Sequence, residues 1–323
     1  MKAILFENYG SPDVLQLKEV AKPTPKENEV LIKVRAAGTN PLDWHKLRAD
    51  PFFVRFSDGL LKPKNNRLGA DVAGIVEAVG SEVTTFKPGD AVFGESGGGS
   101  FAEYVCAPER LLAPKPDNIS FAEAAAVPVA ALTALQALRV SGKIQAGHTV
   151  LINGASGGVG TFMVQLAKFY EGEVTAVCST RNLELVQSLG ADHVIDYTKE
   201  TVASSGQKYD LVLDNVGNLT ASQFRQLLKP QGIGVMVGFT TIRRMIGNLL
   251  AGRWWARRGG PSLGSMLAHP NKEDMLLLHD LLAEGVIKSV IDRSYPLAET
   301  AVAIRYLETG RAQGKVVVSL SES

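Results

Sequence analysis

The run Val150-Leu-Ile-Asn-Gly-Ala-Ser-Gly-Gly-Val-Gly160 has the residue types and spacing to hold a pyrophosphate. Its first residues read as a buried strand and its middle as a glycine-rich turn. Helical spacing follows at once through Val159, Met163, Leu166 and Ala167. In such a turn Gly157 lets the backbone approach the phosphates and Gly160 lets the helix pack close to the sheet. The unpaired N–H groups and positive end of the helix then meet the phosphate charge. Against the pattern G-x-G-x-x-G the turn reads Ala155-x-Gly157-x-x-Gly160, so the first glycine is replaced. The expected phosphate cradle is Ala155, Ser156, Gly157, Gly158, Val159 and Gly160. Glycines alone also mark ordinary tight turns; the strand–turn–helix setting is what points to a dinucleotide.

The end of the next strand selects between nucleotides. A site for NAD usually places an Asp or Glu there, about 20 residues on, to bond the ribose 2′-hydroxyl. This chain offers Cys178-Ser179-Thr180-Arg181-Asn182. Two hydroxyls and a guanidinium suit a 2′-phosphate, which a carboxylate would repel, so Ser179, Thr180 and Arg181 point to NADPH. Ser179 and Asn182 also read as caps of the following helix, and both roles can hold at once.

The elements that position these residues follow from the change of texture along the chain. The first 115 or so residues read as short strands punctuated by Gly and Pro, without sustained helical periodicity, and predict a mainly β half. Ser120-Phe-Ala-Glu123 is a capping-box pattern opening a run of helix formers from Ala122 to Leu138. From Thr149 strands and helices alternate, which predicts βαβ units, a parallel sheet and a doubly wound domain with its ligand crevice at the carboxyl ends of the strands. Gly238 to about Pro270 reads as irregular, Lys272–Leu282 as helix, Lys288–Tyr295 as strand, Leu297–Leu307 as helix and Lys315–Leu320 as a last strand.

The balance of 34 Lys and Arg against 33 Asp and Glu leaves no basic field for nucleic acid. Cys106 and Cys178 cannot form a disulfide framework or a cysteine-rich zinc lobe, and neither has an adjacent base to make it a nucleophile. The N-terminal residues do not read as a secretory signal, and no apolar stretch reaches the roughly 18 residues of a membrane span, so the expected location is cytoplasmic.

Taken together, Ala37-Gly-Thr-Asn-Pro-Leu-Asp43, Gly69-Ala-Asp-Val-Ala-Gly74, Pro88-Gly-Asp-Ala-Val-Phe-Gly94, Asn153–Gly160, Tyr209-Asp-Leu-Val-Leu-Asp-Asn-Val-Gly217, Val290–Leu297 and Gly314-Lys-Val-Val-Val318 resemble the medium-chain dehydrogenase/reductase superfamily in its zinc-lacking quinone oxidoreductase branch. The resemblance implies an α/β protein with a GroES-like β domain at 1–122, completed by 271–323, and a Rossmann domain at 123–270. The cofactor would lie in the cleft between them, in a homodimer or homotetramer. Zinc alcohol dehydrogenases place a ligating Cys where this chain has Gly38–Asn40, and a His-Glu pair where it has Ala70-Asp71. The five histidines are scattered without ligand spacing, so no metal is expected.

What remains is NADPH-dependent hydride delivery to an electron-poor acceptor, a quinone or an α,β-unsaturated carbonyl, whose developing oxyanion needs one or two hydrogen-bond donors. By its place in the family motif, Asn40 is expected to donate its amide beside the nicotinamide. Asp43 reads either as a turn-stabilising acid or as an organiser of Asn40. Thr133 matches a threonine facing the nicotinamide, or is an ordinary helix hydroxyl. Tyr197 matches a position near the 2′-phosphate; Asn215, Gly238 and Phe239 follow strands four and five at the crevice. Trp44 and His45 are candidates for lining the acceptor site, and Trp44 reads equally as a core residue. An enoyl-thioester reductase and a non-catalytic NADPH-binding protein stay open as alternatives.

Ile242–Arg258 carries five arginines, Trp254, Trp255 and Leu249-Leu250. It reads as a flap or subunit contact, as a solvated insertion, or as a peripheral membrane-contact helix. Interfacial helices usually show a cleaner apolar face, which favours the first two readings.

Overall fold

The computed structural model describes residues 1–320 other than Phe53, Ser204, Ser205 and Phe239, with Ser57 described through its backbone alone. The chain forms two compact units, one of Met1–Ala130 with Pro270–Ser323 and one of Ala131–His269.

The first unit opens with β1 (Lys2–Leu5), β2 (Gln16–Glu19) and the largely buried β3 (Glu29–Gly38), followed by helices α1 (Pro41–Arg48) and α2 (Val54–Asp58). There follow β4 (Asp71–Val79), β5 (Ala91–Glu95), β6 (Tyr104–Pro108), β7 (Leu112–Pro114) and α3 (Phe121–Ala125). A seven-stranded sheet contains β3, β4, β5, β6 and β7, with β6 pairing β3. Two strands from the far end of the chain, β14 (Ile291–Pro296) and β15 (Lys315–Ser319), complete it beside β3. The antiparallel register Val317↔Gly38 and Val318↔Ala37 aligns the start of β15 with the end of β3. That alignment matters for the site.

The helix α1 is an exception within this mainly β half, and the sequence reading did not mark it. Asn40 caps it in extended conformation, Pro41 opens it with a preset φ, and Ala49 closes it at φ 49°. Eight residues are too few for a period to emerge from the sequence.

In the second unit, β8 (Thr149–Asn153), β9 (Glu173–Cys178), β10 (His193–Asp196), β11 (Tyr209–Asp214), β12 (Leu228–Met236) and β13 (Ser262–Ser265) form one sheet in the order β10-β9-β8-β11-β12-β13. Every pairing is parallel. Numbered within the unit this is 3-2-1-4-5-6, the doubly wound order that reverses between β8 and β11 and opens a crevice at their carboxyl ends. Helices α5 (Gly158–Phe169), α6 (Leu183–Ser188) and α7 (Ala221–Leu227) connect the strands, and α4 (Pro128–Gln136) carries the chain into this unit. The sheet is packed from within by Leu151, Val212, Phe224 and Met236.

The stretch read as irregular after Gly238 is instead a fifteen-residue helix, α8 (Ile242–Ala256), followed by the edge strand β13. Thr241 caps the helix by accepting from Arg244 N, and Asn248, Gly252 and Trp255 form its buried face. Gly252, which looks like a breaker in sequence, is required there: a Cβ would lie 2.5 Å from Leu263 Cβ. The last segments are α9 (Lys272–Ala283) and α10 (Thr300–Glu308), and the strand between them starts three residues later than Lys288. No described helix is long and apolar enough to cross a membrane.

Candidate functional site

In the second unit the chain leaves β8 at Asn153 and turns on Gly154, whose φ of +80° excludes most side chains. Gly157 stands at the mouth of α5 in extended conformation, φ −82° and ψ 175°. A Cβ there would meet only Gly154 O, at 3.6 Å, whereas a Cβ on Gly160 would lie 2.2 Å from the same oxygen and 2.7 Å from Ala155. The two glycines therefore do different things: Gly160 closes the turn against the helix, and Gly157 leaves its outer surface open. Ser156 Oγ accepts from Asn182 Nδ2 at 2.7 Å, so Asn182 braces the turn and does not cap α6. Ser179 likewise makes no side-chain cap bond.

The neighbouring strand end brings Asn215 and Gly238 together, since a Cβ on Gly238 would fall 2.2 Å from Asn215 O. Asp214, fully buried, holds this loop by accepting from Asn153 Nδ2 (2.7 Å), Gly217 N (2.9 Å) and Leu219 N (3.0 Å). Burial pushes its carboxyl pKa up. Both amide atoms of Asn215 are buried with no hydrogen-bond partner among the described residues. Buried amides are rarely left so. Open glycine surface, helix N-terminus and orphaned amide at the switch point fit a dinucleotide. Phe239 lies outside the described residues.

At the end of β9, Arg181 and Thr180 are exposed and Ser179 half-buried. Tyr197 is 60% exposed, and its N–H donates to Cys178 O, which brings it beside them. The parallel register Asp196↔Cys178 also delivers a carboxylate that sequence reading of the second strand alone misses. Asp196 accepts from Thr180 Oγ1 (2.5 Å) and from Thr198 N and Oγ1, and those bonds hold its pKa at about 2. Thr180 thus directs its proton to Asp196, which leaves Ser179 and Arg181 as the donors of this corner. Thr133 and Val129 are the two positions of α4 that are not buried.

In the first unit, Asn40, Asp43, Asp71 and Lys315 form one buried cluster. Lys315 is 3% exposed, and its Nζ donates to Thr39 O (3.0 Å), Asn40 Oδ1 (2.6 Å) and Asp71 Oδ2 (3.1 Å). Three ammonium hydrogens meet three acceptors. Asn40 Nδ2 donates to Asp71 Oδ2 at 2.9 Å, so a donor-only lysine and a carboxylate fix which end of the amide is which. Gly38 makes the approach possible, because a Cβ there would lie 2.7 Å from Asp71 Oδ2. Asp43 accepts from Asn40 N and Gly69 N, both at 2.8 Å, tying the helix start to the segment before β4. Its full burial raises its pKa to about 6, partly offset by those two N–H bonds.

Glu95 pairs with Asp71 in register across β4 and β5, which puts both side chains on one sheet face. Its carboxyl has no hydrogen-bond partner among the described residues. Burial, reinforced by the charge of Asp71, pushes its pKa to about 7. His45 stacks on Trp44 with ring centroids 3.7 Å apart and meets Asp50 O through Nδ1. Burial pushes both Cys106 and Cys178 to about 11, so they are protonated and inert as nucleophiles at neutral pH. Sequence reading missed Lys315, Asp71 as a partner of Asn40, and Asp196. The available signal was a charged residue within an otherwise apolar strand: Lys315 before Val316–Val318, and Asp71 before Val72-Ala73.

This combination defines the class of two-domain, dinucleotide-binding oxidoreductases. Residues 26–117 match the alcohol dehydrogenase GroES-like domain family, and residues 189–318 match a family described as zinc-binding dehydrogenase. A 2-methylene-furan-3-one reductase of Solanum lycopersicum is 40% identical, over 98% of this chain and 79% of the relative. An NADPH-dependent alkenal/one oxidoreductase, chloroplastic, of Arabidopsis thaliana is 38% identical over the same shares. The solved quinone oxidoreductase of Coxiella burnetii superposes with a TM-score of 0.89 at 34% identity, covering 99% of each chain. The chain belongs to the medium-chain dehydrogenase/reductase superfamily, among its quinone oxidoreductases and alkenal reductases.

The zinc of one family description does not fit the residues. A zinc site needs three or four well-placed N, S or O ligands. Among the described residues no group of three His, Cys, Asp or Glu side chains is placed to hold a metal. The lone pairs of Asp71 Oδ2 and Asn40 Oδ1 already face the Lys315 ammonium.

Proposed function

We propose that this chain is an NADPH-dependent, zinc-independent oxidoreductase that reduces a quinone or an α,β-unsaturated carbonyl. Bound NADPH supplies the hydride. In the second unit, Ala155 to Gly160 hold the diphosphate through backbone N–H groups and the α5 dipole. Ser179 and Arg181 hold the 2′-phosphate, Arg181 by charge-assisted bonds, with Thr180 oriented away by Asp196 and Tyr197 flanking them. Asn215 and Gly238 line the crevice at the strand ends, and Thr133 offers its hydroxyl from α4.

In the first unit, Asn40 keeps one Nδ2 hydrogen beyond its bond to Asp71, and that hydrogen is the donor assigned to the acceptor oxygen. Asp43, Asp71 and Lys315 position the amide. The fixed ammonium supplies positive potential of the kind a developing oxyanion needs, without a metal.

The observation that carries the reading is the orphaned Asn215 amide beside Gly154, together with the open face of Gly157 in the same turn, at the reversal point of the sheet. The test is the rate of NADPH and NADH oxidation with small quinones and short enones. NADPH turnover with either acceptor class is expected. A strict preference for NADH overturns the 2′-phosphate assignment, and tight NADPH binding without turnover across the panel marks a binding protein. Homodimer or homotetramer assembly and cytoplasmic location complete the proposal. Light scattering tests the first and fractionation of the tagged chain the second.

A further inference from the structure

We propose that α8 docks the protein on an anionic phospholipid surface. The near-neutral charge of the whole chain conceals a one-signed segment. Between Asp214 and Glu273 there is no acidic residue, while Arg225, Lys229, Arg243, Arg244, Arg253, Arg257, Arg258 and Lys272 all fall within it. Most of these cations lie on or beside α8.

The helix sorts its residues by face. Asn248, Gly252 and Trp255 are buried, with Met245, Leu249 and Ala251 packed against the same core. The opposite face carries Ile246, Leu250 and Trp254, spaced four apart and 49%, 63% and 47% exposed. At 100° per residue these three fall within one 80° stripe. Arg243, Arg253 and Arg257 project within the same arc or at its border, and all three are exposed. Arg258 lies over the Trp254 ring at 3.9 Å.

None of Arg243, Arg253, Arg257 and Arg258 makes an ion pair among the described residues. Along the helix the apolar stripe runs unbroken from Ile246 through Leu250 to Trp254, with Arg243 and Arg257 at its two ends and Arg253 beside it.

Charge complementarity selects the occupant. A protein surface that covered this face would need carboxylates for the arginines and a groove for the stripe. A second copy would bring its own arginines against them. An anionic bilayer offers both features in one plane, phosphates at headgroup level and acyl carbon about 5–10 Å below. Trp254 has the amphipathic ring favoured at that boundary. The helix lies on the surface and does not cross it. The inference rests on the second unit alone and does not depend on which acceptor is reduced.

The test is flotation of the full chain with vesicles of phosphatidylcholine alone, or with roughly one-third phosphatidylglycerol. Co-flotation with the anionic vesicles only is expected, reversed by high salt, with a blue shift of tryptophan emission that Trp254→Phe removes. The variant R243Q/R253Q/R257Q keeps its fold, because all three side chains are exposed. Its vesicle partition should fall on the order of a hundredfold, since each arginine near such a surface contributes about fivefold. L250S/W254S should also lose partition. Equal partition on both vesicle types, or none, overturns the proposal. So does a stripe variant that changes the mass in light scattering while leaving vesicle partition unaltered, which would make the face a contact between copies.

Discussion

Replacing Lys315 by Met tests the buried cluster most directly. Methionine keeps most of the side-chain length and removes the ammonium. The loss would leave Asn40 Oδ1 without its lysine donor and Asp71 as a fully buried carboxylate held, among the described residues, by Asn40 Nδ2 and Val129 N. Removing one member of a buried ion pair costs about 3–5 kcal/mol, because the remaining charge stays desolvated. With a urea slope of about 1–3 kcal/mol per molar, the midpoint should fall by about 1–5 M. The chain has three tryptophans, so a W254F/W255F background leaves Trp44, in the first unit, as sole reporter. The double variant D71N/K315M should recover most of the loss, because no unpaired charge is left inside. Activity should separate the roles further: K315M should lower kcat by about tenfold or more with little change in the KM for NADPH, as a misoriented Asn40 affects the transition state and not nucleotide binding. A cost below about 1 kcal/mol, with the two single losses simply adding in the double variant, refutes the argument.

Gly157→Ala should leave thermal stability nearly unchanged, since its Cβ makes only an ordinary 3.6 Å contact, yet weaken NADPH binding; Gly160→Ala should lower the melting temperature, with a Cβ 2.2 Å from Gly154 O. Calorimetry and nucleotide titration on the two variants separate these outcomes. Arg181→Ala should raise the KM for NADPH by about tenfold with little change for NADH, as it removes a charge-assisted contact unique to the 2′-phosphate; equal loss with both nucleotides contradicts the assignment. Glu95 is raised from 4.5 to about 7, so folding is favoured while the group is protonated and that contribution is lost as pH rises. Wild type should therefore lose stability relative to Glu95→Gln between about pH 4.5 and 7 and run parallel to it above, as read from urea midpoints.

The parts of this molecule legible in sequence are those set by neighbours along the chain. The strand–turn–helix at Val150–Gly160 announces itself because glycine spacing and helical period are both local. The start of α1, at Asn40, Pro41 and Asp43, is equally local yet reads as a turn, because eight residues show no period. The parts set by sheet register were not legible. Lys315 meets Asp71 across 244 residues, and the pairings of β15 with β3 and of β3 with β4 bring them together. Asp196 escapes a search confined to the end of the second strand because it arrives from the third. The helix α8 was hidden by Gly247 and Gly252 and by apolar residues on both of its faces, one set for the core and one for the surface.

The register that hides Lys315 also bears on the chemistry proposed for the site. A metal ion draws electron density through vacant coordination positions, and can activate an alcohol that is otherwise a poor hydride donor. An ammonium whose three hydrogens are all engaged has no vacancy, so it acts only through its field and through the amide it orients. Such a centre suits an acceptor that is already electron-poor, because the remaining demand is a hydrogen bond to an oxygen gaining charge. Quinones and enones meet that condition and unactivated alcohols do not. The cluster of Asn40, Asp71 and Lys315 therefore favours the reductive direction and the conjugated acceptor together, through one buried cation that chain folding itself supplies.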